Sequence, residues 1–316
     1  MTPQEGGKDA KRVLVVGEIN VDLILQGYRD FPAPGKEVLV DDFMMVLGSA
    51  SAICAMGLAR LRTPVAFLGR VGEDPWGRFC LQAMMSRGID VSRVMCDPSV
   101  KTGVTVAITS PSERALVSYL GSIKTLTGAD VPAAALQGFD HVHVSSYFLQ
   151  EGLRPAIRGL FAAAHEARLT TSLDPGFDPS ESWGHDLQET LQEVDVFLPN
   201  EVELRALSGA SDPEEGLRRL QNEKTRIVAK LGRDGAMTLE AGRVLPVPAF
   251  AVQPVDTTGA GDSFNAGFLY GWLRGEPIAD CLRLGASCGA LSTLGLGGTT
   301  RQPSLEEAEA FLGSRV

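Results

Sequence analysis

The chain has 316 residues, 44% of them hydrophobic, and a formal net charge of −10. That is material for one large or two ordinary globular domains, and the acidity argues against wrapping nucleic acid, which needs a basic face. No apolar run is long enough to span a bilayer, and the polar start MTPQEGGKDAKR lacks the core of a signal peptide, so a loose tail over 1–11 and a cytoplasmic location are expected.

RVLVVG (12–17) reads as a strand buried on both faces. In GEINVDLIL (17–25), Asn20 and Asp22 alternate outward beyond that strand. KEVLVDDFMMVLG (36–48) reads as β structure without a helix, and PVAFLG (64–69) as another buried strand. Asp74 and Pro75 then signal an N-cap and a first helical position, with Gly88 as the stop. KTGVTVAITSPSERALVSYLGS (101–122) reads as a hairpin turning at SPSE. HVHVSS (141–146), LTTSLD (169–174), VDVFLPN (194–200) and TRIVAKLG (225–232) are further buried strands. Asp212-Pro213 opens a helix, and Ser304 with Glu307 forms a capping box at another. This alternation predicts an α/β fold with a mainly parallel central sheet flanked by helices. The helix-free stretches, about 36–47 and 101–121, predict a small separate sheet attached to a single domain over 12–316.

Cys54, Cys80, Cys96, Cys281 and Cys288 show no Cys-x-x-Cys spacing, and their odd number argues against a disulfide framework. Cys281 and Cys288 read as small core residues. The four histidines have no metal spacing, and His141 and His143 share one face of a strand, where packing accounts for both. GASCG (285–289) matches Gly-x-Ser-x-Gly, but the preceding residues are helical in pattern and no His follows Ser287, so the hydrolase context is missing.

VDTTGAGDSFNAG (255–267) holds the most chemistry. Gly259 and Gly261 let backbone N–H groups converge at a helix start, which is an anion site. Asp262, in or beside the first turn, is placed to orient and deprotonate a hydroxyl, and the helix terminus favours its ionised form. In PNEVE, Asn200 and Glu203 suit a capping box, or a ligand site at a strand end where Glu203 holds Mg²⁺ through water. KLGRDG (230–235) ends a strand in a glycine turn whose amides, with Lys230, could touch a nucleotide.

DTTGAGDSF (256–264) closely resembles the C-terminal signature of the PfkB/ribokinase-like carbohydrate kinases. GEINVDL resembles the family's first strand with its Asn-x-Asp sugar pair, residues 48–77 its N-terminal signature, PNEVE its Asn-x-x-Glu motif, and KLGRDG its nucleotide-side turn. The resemblance implies a ribokinase-like fold with a β lid over the acceptor, ATP as donor and Mg²⁺ as cofactor. It implies Asp262 as base, with Gly259, Ala260 and Gly261 as anion hole. Asn200 and Glu203 would serve the Mg²⁺–phosphate assembly. Lys230, Gly232, Gly235 and Thr257 would lie along the nucleotide, and Asn20, Asp22, Gly48 and Ser49 would face a small sugar. Asp256 and Thr258 match a place where some members bind a monovalent cation such as K⁺, and a homodimer through the lid is expected. Three positions, in two places, depart from the family pattern. Gly48-Ser49 and Ile53 replace a Gly-Gly pair and an Asn, and Gly176 stands where an Asn two residues after Asp174 is common. A nucleoside kinase, or a catalytically silent sugar- or nucleotide-sensing relative, remains an alternative to a pentose or ketohexose kinase.

Overall fold

The computed structural model of the protein describes residues 10–28, 32–109 and 114–314. In chain order it runs β1 (Val13–Val16), β2 (Asn20–Gln26), β3 (Asp42–Gly48), α1 (Ala50–Arg60), β4 (Val65–Gly72), α2 (Pro75–Ser86), β5 (Asp90–Asp97), β6 (Gly103–Thr109) and β7 (Arg114–Tyr119). It continues with β8 (His141–Val144), α3 (Arg154–Glu166), β9 (Thr170–Leu173), α4 (Asp186–Leu191), β10 (Val196–Phe197), α5 (Glu201–Ser208), α6 (Pro213–Leu220) and β11 (Arg226–Lys230). β12 (Ala236–Glu240), β13 (Arg243–Val247), α7 (Ala260–Trp272), α8 (Ile278–Ser292) and α9 (Leu305–Gly313) complete it.

The large sheet has the order β13-β12-β11-β10-β9-β8-β1-β4-β5, parallel from β11 to β5 and closed at the other edge by the antiparallel β11–β12–β13 meander. Its central strands are apolar throughout because both faces are covered. In β1 the period of two sends Val13 and Val15 into one core, with Phe264 and Phe268 of α7, and Leu14 and Val16 into the other, with Ile157 and Phe161 of α3. α2 begins as its residues imply: the Asp74 carboxylate accepts from Gly77 N at 2.8 Å, and Pro75 is the first helical residue.

The small sheet has four strands in the order β3-β2-β6-β7. Asn20 and Asp22, read from the sequence as lying beyond the first strand, belong to its β2, because Gly17 to Ile19 end β1 and send the chain into the second sheet. Residues 36–41 are not a strand, and pairing begins at Asp42, opposite Gln26. The SPSE turn (110–113) lies outside the described residues, as do residues 1–9 of the expected tail. Lys11, counted in that tail, is already tied to Asp140 at 3.1 Å. β10 is shorter than its apolar run because Leu198 and Pro199 turn the chain toward α5. β5 follows α2 as an amphipathic edge strand of alternating exposure, a pattern weaker than the buried runs.

Candidate active site

Most of the residues singled out from the sequence lie where strand ends of the large sheet meet the N-terminus of α7. Gly259 is the N-cap of α7 at φ +71°, a left-handed backbone that disfavours a side chain. A Cβ there would stand 2.7 Å from Gly298 Cα and 3.0 Å from Ile53 Cγ2, so the turn is also closely packed. The first intrahelical bond of α7 is Ser263 N to Gly259 O at 2.9 Å, and the amides of Gly261 and Asp262 precede it. They are the donors a helix start leaves over. The expected third amide, on Ala260, instead donates to Thr257 O at 3.2 Å.

A cavity of about 680 Å³ opens beside this turn. Asn200, Glu203, Lys230, Gly232, Gly235, Thr257, Ala260, Gly261 and Asp262 all line it, which brings the expected donor-side residues into one site. Its far wall is apolar, made by Ala249, Phe250, Val252 and Pro254 after β13 and by Ala286, Gly289 and Ala290 of α8. Sequence reading missed that wall, because small apolar residues in a loop and a helix carry no motif.

Asn200 caps α5. Its side chain accepts from Glu203 N at 2.9 Å, while Glu203 accepts from Asn200 N at 2.8 Å and Asn200 Nδ2 at 2.7 Å. Burial and the charge of Asp174 push the Glu203 carboxyl up to about 7, against the lowering effect of Lys230. Lys230 ends β11, and its Nζ is 2.5 Å from Asp174 Oδ2 and 3.2 Å from Asn265 Oδ1. Asp174 directly follows β9, and Asn265 lies one turn along α7 from Asp262. Neither was assigned a role from the sequence. The Asp174-Pro175 pair at a strand end was the available signal for the first. For the second it was the three-residue spacing from Asp262.

Asp262 was expected to stay ionised. The structure sets opposing influences against the helix terminus. Burial, then the charges of Asp174, Glu18 and Glu203, hold its carboxyl well above the usual carboxylate range, and Lys230 opposes them only in part. The helix terminus is one partial charge, whereas three acids face the group.

Glu203 and Asn200 fit a hydrated divalent cation. Their oxygens are committed to the cap, and among the described residues no group of three or more His, Cys, Asp or Glu could hold a metal directly. Mg²⁺ keeps several waters and takes phosphate oxygens readily, which suits such a wall.

The acceptor-side residues gather at the base of the small sheet, outside that cavity. Asn20 Nδ2 donates to Asp22 Oδ1 at 3.2 Å and to Thr105 Oγ1 at 2.9 Å. Asn20 Oδ1 is buried without a hydrogen-bond partner among the described residues. A Cβ at Gly48 would fall 2.6 Å from that oxygen and 2.2 Å from Asp22 Oδ1, so Gly48 keeps the pair accessible. Ser49 has φ +77°, the conformation that a glycine adopts without strain. Its hydroxyl is turned away, donating to Glu18 O and accepting from Ala52 N at 3.4 Å. What Ser49 offers an acceptor is therefore backbone. Ile53 does not open the acceptor side but packs on Gly259 and Gly298, behind the glycine turn.

The remaining expectations sort cleanly. Asp256 Oδ1 accepts from Thr258 N at 2.9 Å and Thr258 Oγ1 at 2.7 Å, and Asp256 Oδ2 from Gly297 N at 2.8 Å, which ties this loop to residues 293–298. His141 and His143 are wholly buried and share Ser172 Oγ at 2.7 Å each, and burial holds both imidazoles below their usual range, His143 down to about 4. Cys281 and Cys288 are core residues. Ser287 is buried within α8 and donates to Ala308 O at 3.3 Å, which is no nucleophile elbow.

Residues 10–305 match the family model described as pfkB family carbohydrate kinase. An ATP-dependent ribose-1-phosphate kinase of Halopiger xanaduensis is 31% identical over 307 residues, covering 96% of this chain and 99% of its own. The structure of Arabidopsis thaliana ribokinase complexed with ribose and ATP superimposes with a TM-score of 0.84 at 24% identity, covering 96% of this chain and 99% of that one. A fructokinase double mutant of Vibrio cholerae, bound to fructose, ADP and potassium ion, superimposes with a TM-score of 0.78 at 29% identity, covering 97% and 99%.

Proposed function

The chain belongs to the pfkB family of carbohydrate kinases, and on that premise we propose that it moves the γ-phosphoryl group of ATP to a hydroxyl of a furanose-forming pentose or ketohexose. The observation that carries this reading is Asp262 at the left-handed glycine turn, beside one cavity lined by Lys230, Asn200 and Glu203. ATP would lie along that cavity, its base on the apolar wall and its phosphates toward Gly259 to Gly261. Asp262 takes the proton of the attacking hydroxyl. The turn amides meet the charge that spreads over the phosphoryl oxygens, the positioning and electrostatic work that phosphoryl transfer requires. Glu203 and Asn200 would hold Mg²⁺ through its water shell, and the ion would supply neutralisation of phosphate charge.

Asn20 and Asp22 hold the sugar. The unpartnered Asn20 Oδ1 is ready to accept from a substrate hydroxyl, and a site built to bond hydroxyls rejects analogues that lack them. The loop of Asp256 and Thr258 would hold K⁺ beside the turn, and the ion would supply charge that stiffens it. ADP release measured over a panel of pentoses, ketohexoses and nucleosides tests the function. Turnover is expected on a furanose-forming sugar, with Asp22→Ala raising KM steeply. Preference for adenosine over every sugar would sink the assignment. Repeating the assay in potassium-free buffer at matched ionic strength tests the cation, since a lower rate is expected and an equal one removes it.

A further inference from the structure

Beside Asp262, the proposed base, the cavity is bordered by a buried charged cluster to which the proposed reaction gives no step. Lys230, Asp174 and Asn265 are 9%, 5% and 0% exposed, and they close a triangle. Asp174 Oδ2 accepts from Lys230 Nζ at 2.5 Å and from Asn265 Nδ2 at 2.5 Å, while Asn265 Oδ1 accepts from Lys230 Nζ at 3.2 Å. Each corner is at an element's end or first turns: Lys230 ends β11, Asp174 follows β9 and Asn265 belongs to α7. The carboxylate of Asp174 is held on its other oxygen too, since Gly176 N donates to its Oδ1 at 3.0 Å.

The triangle also touches the glycine turn. A Cβ placed on Gly261 would lie 3.5 Å from Lys230 Nζ, so the ammonium sits against the backbone whose amides form the anion site. Lys230 lines the cavity there together with Gly261 and Asp262. An ammonium is a compact point charge with three donors, and two of them are already aimed at Asp174 and Asn265. The ammonium makes no further side-chain hydrogen bond among the described residues.

We propose that Lys230 is a catalytic ammonium which meets the transferring phosphoryl group at the glycine turn, and that Asp174 and Asn265 are the positioning residues that hold it there. The proposal rests on the kinase reading. In the transfer, the acceptor oxygen forms a bond to the γ-phosphorus and the bond from that phosphorus to the bridging oxygen breaks. The bond's electron pair leaves with ADP, and the hydroxyl proton goes to Asp262. Lys230 keeps its proton throughout and supplies a fixed positive charge. Its pairing with Asp174 means that the charge is in place before substrate arrives, so no reorganisation accompanies the reaction.

A purely structural ion pair predicts something different. Neutralising both partners of a buried pair together is often tolerated by the fold, and then turnover should survive. The decisive protein is therefore the double variant Lys230→Met/Asp174→Asn, which leaves no uncompensated charge. With wild type active on a panel sugar, the double variant is expected to melt near wild type, to lose roughly 10²-fold or more in kcat, and to keep its acceptor KM within about threefold. Asn265→Ala retains both charges but loosens the ammonium, and it should lower kcat about tenfold at unchanged acceptor KM. A folded double variant with kcat within about threefold of wild type would overturn the proposal. Equilibrium affinities separate this outcome from failure of the kinase reading. A non-hydrolysable ATP analogue should bind the double variant about tenfold more weakly than wild type, with ADP changed by less than about threefold. If wild type turns over no panel sugar, the kinase assignment fails by that measurement, whereas equal analogue affinities in the two proteins refute the role of Lys230.

Discussion

At Asp262 the proposed catalytic role and the stability of the fold pull in opposite directions. Its carboxyl is held above the ordinary range by burial and by Asp174, Glu18 and Glu203, with Lys230 as the opposing cation. A raised folded value means that the group's contribution to stability is complete below the unfolded value and is lost as pH rises through the folded one. Above the folded value the wild-type carboxylate therefore costs stability. Asp262→Asn removes this, so the variant should melt above wild type at pH 8, and the gap should shrink as the pH falls toward 4. Thermal melts across that range check it, and a gap that grows toward low pH would contradict the sign. The same variant should lose roughly 10²–10⁴-fold in kcat, because a neighbouring amide cannot take the hydroxyl proton. For wild type, the acid limb of kcat/KM should lie above the ordinary carboxylate range, which a pH–rate profile reads directly.

Elements distribute the work between holding and reacting. Two capping boxes look alike in the sequence, Asn200 with Glu203 at α5 and Ser304 with Glu307 at α9. The second lies away from the cavity, and its Glu307 also pairs with Arg60 at 3.1 Å. Ser304→Ala should cost about 1 kcal/mol of stability and leave kcat alone, measured by denaturant melts beside turnover. The first lines the cavity, with a Glu203 carboxyl that burial and Asp174 push up to about 7. Glu203→Gln retains a side chain suited to the capping box but removes the charge. Its amide nitrogen must face one of the two Asn200 donors, so it should fold at a cost of about 1 kcal/mol yet need more Mg²⁺ for half-maximal rate, and an unchanged Mg²⁺ titration would reduce Glu203 to a cap. Two boxes of one pattern thus separate only by what surrounds them.

Across the whole molecule the small sheet has one face committed and one open. The period of two puts Asn20, Asp22 and Thr105 on the side that faces the acceptor. Phe43, Met45, Val117 and Tyr119 stand on the other side, with Phe43 66% and Val117 62% exposed. Four strands with an apolar outer face and open edges at β3 and β7 favour a second copy of the chain as cover. A homodimer through this face is expected by light scattering at micromolar concentration, with Phe43→Glu and Val117→Glu together giving a monomer. A monomeric wild type would count against it. Among the described residues no helix is long and apolar enough to cross a membrane. The sequence by itself determined the buried strands, the helix starts at Asp74, Asp212 and Ser304, and the glycine turn with Asp262. Each is a local pattern of burial, capping or backbone freedom, and local patterns are written in neighbouring residues. It did not determine that β2 leaves the first sheet, that Ser49 turns its hydroxyl to Glu18, or that Ile53 braces Gly259. Nor did it reveal the Lys230–Asp174–Asn265 triangle or the raised Asp262 carboxyl. The triangle depends on groups 35 to 91 positions apart, and the raised carboxyl on acids from other elements, meeting in a poorly solvated pocket. Only the packed chain sets that distance and that desolvation.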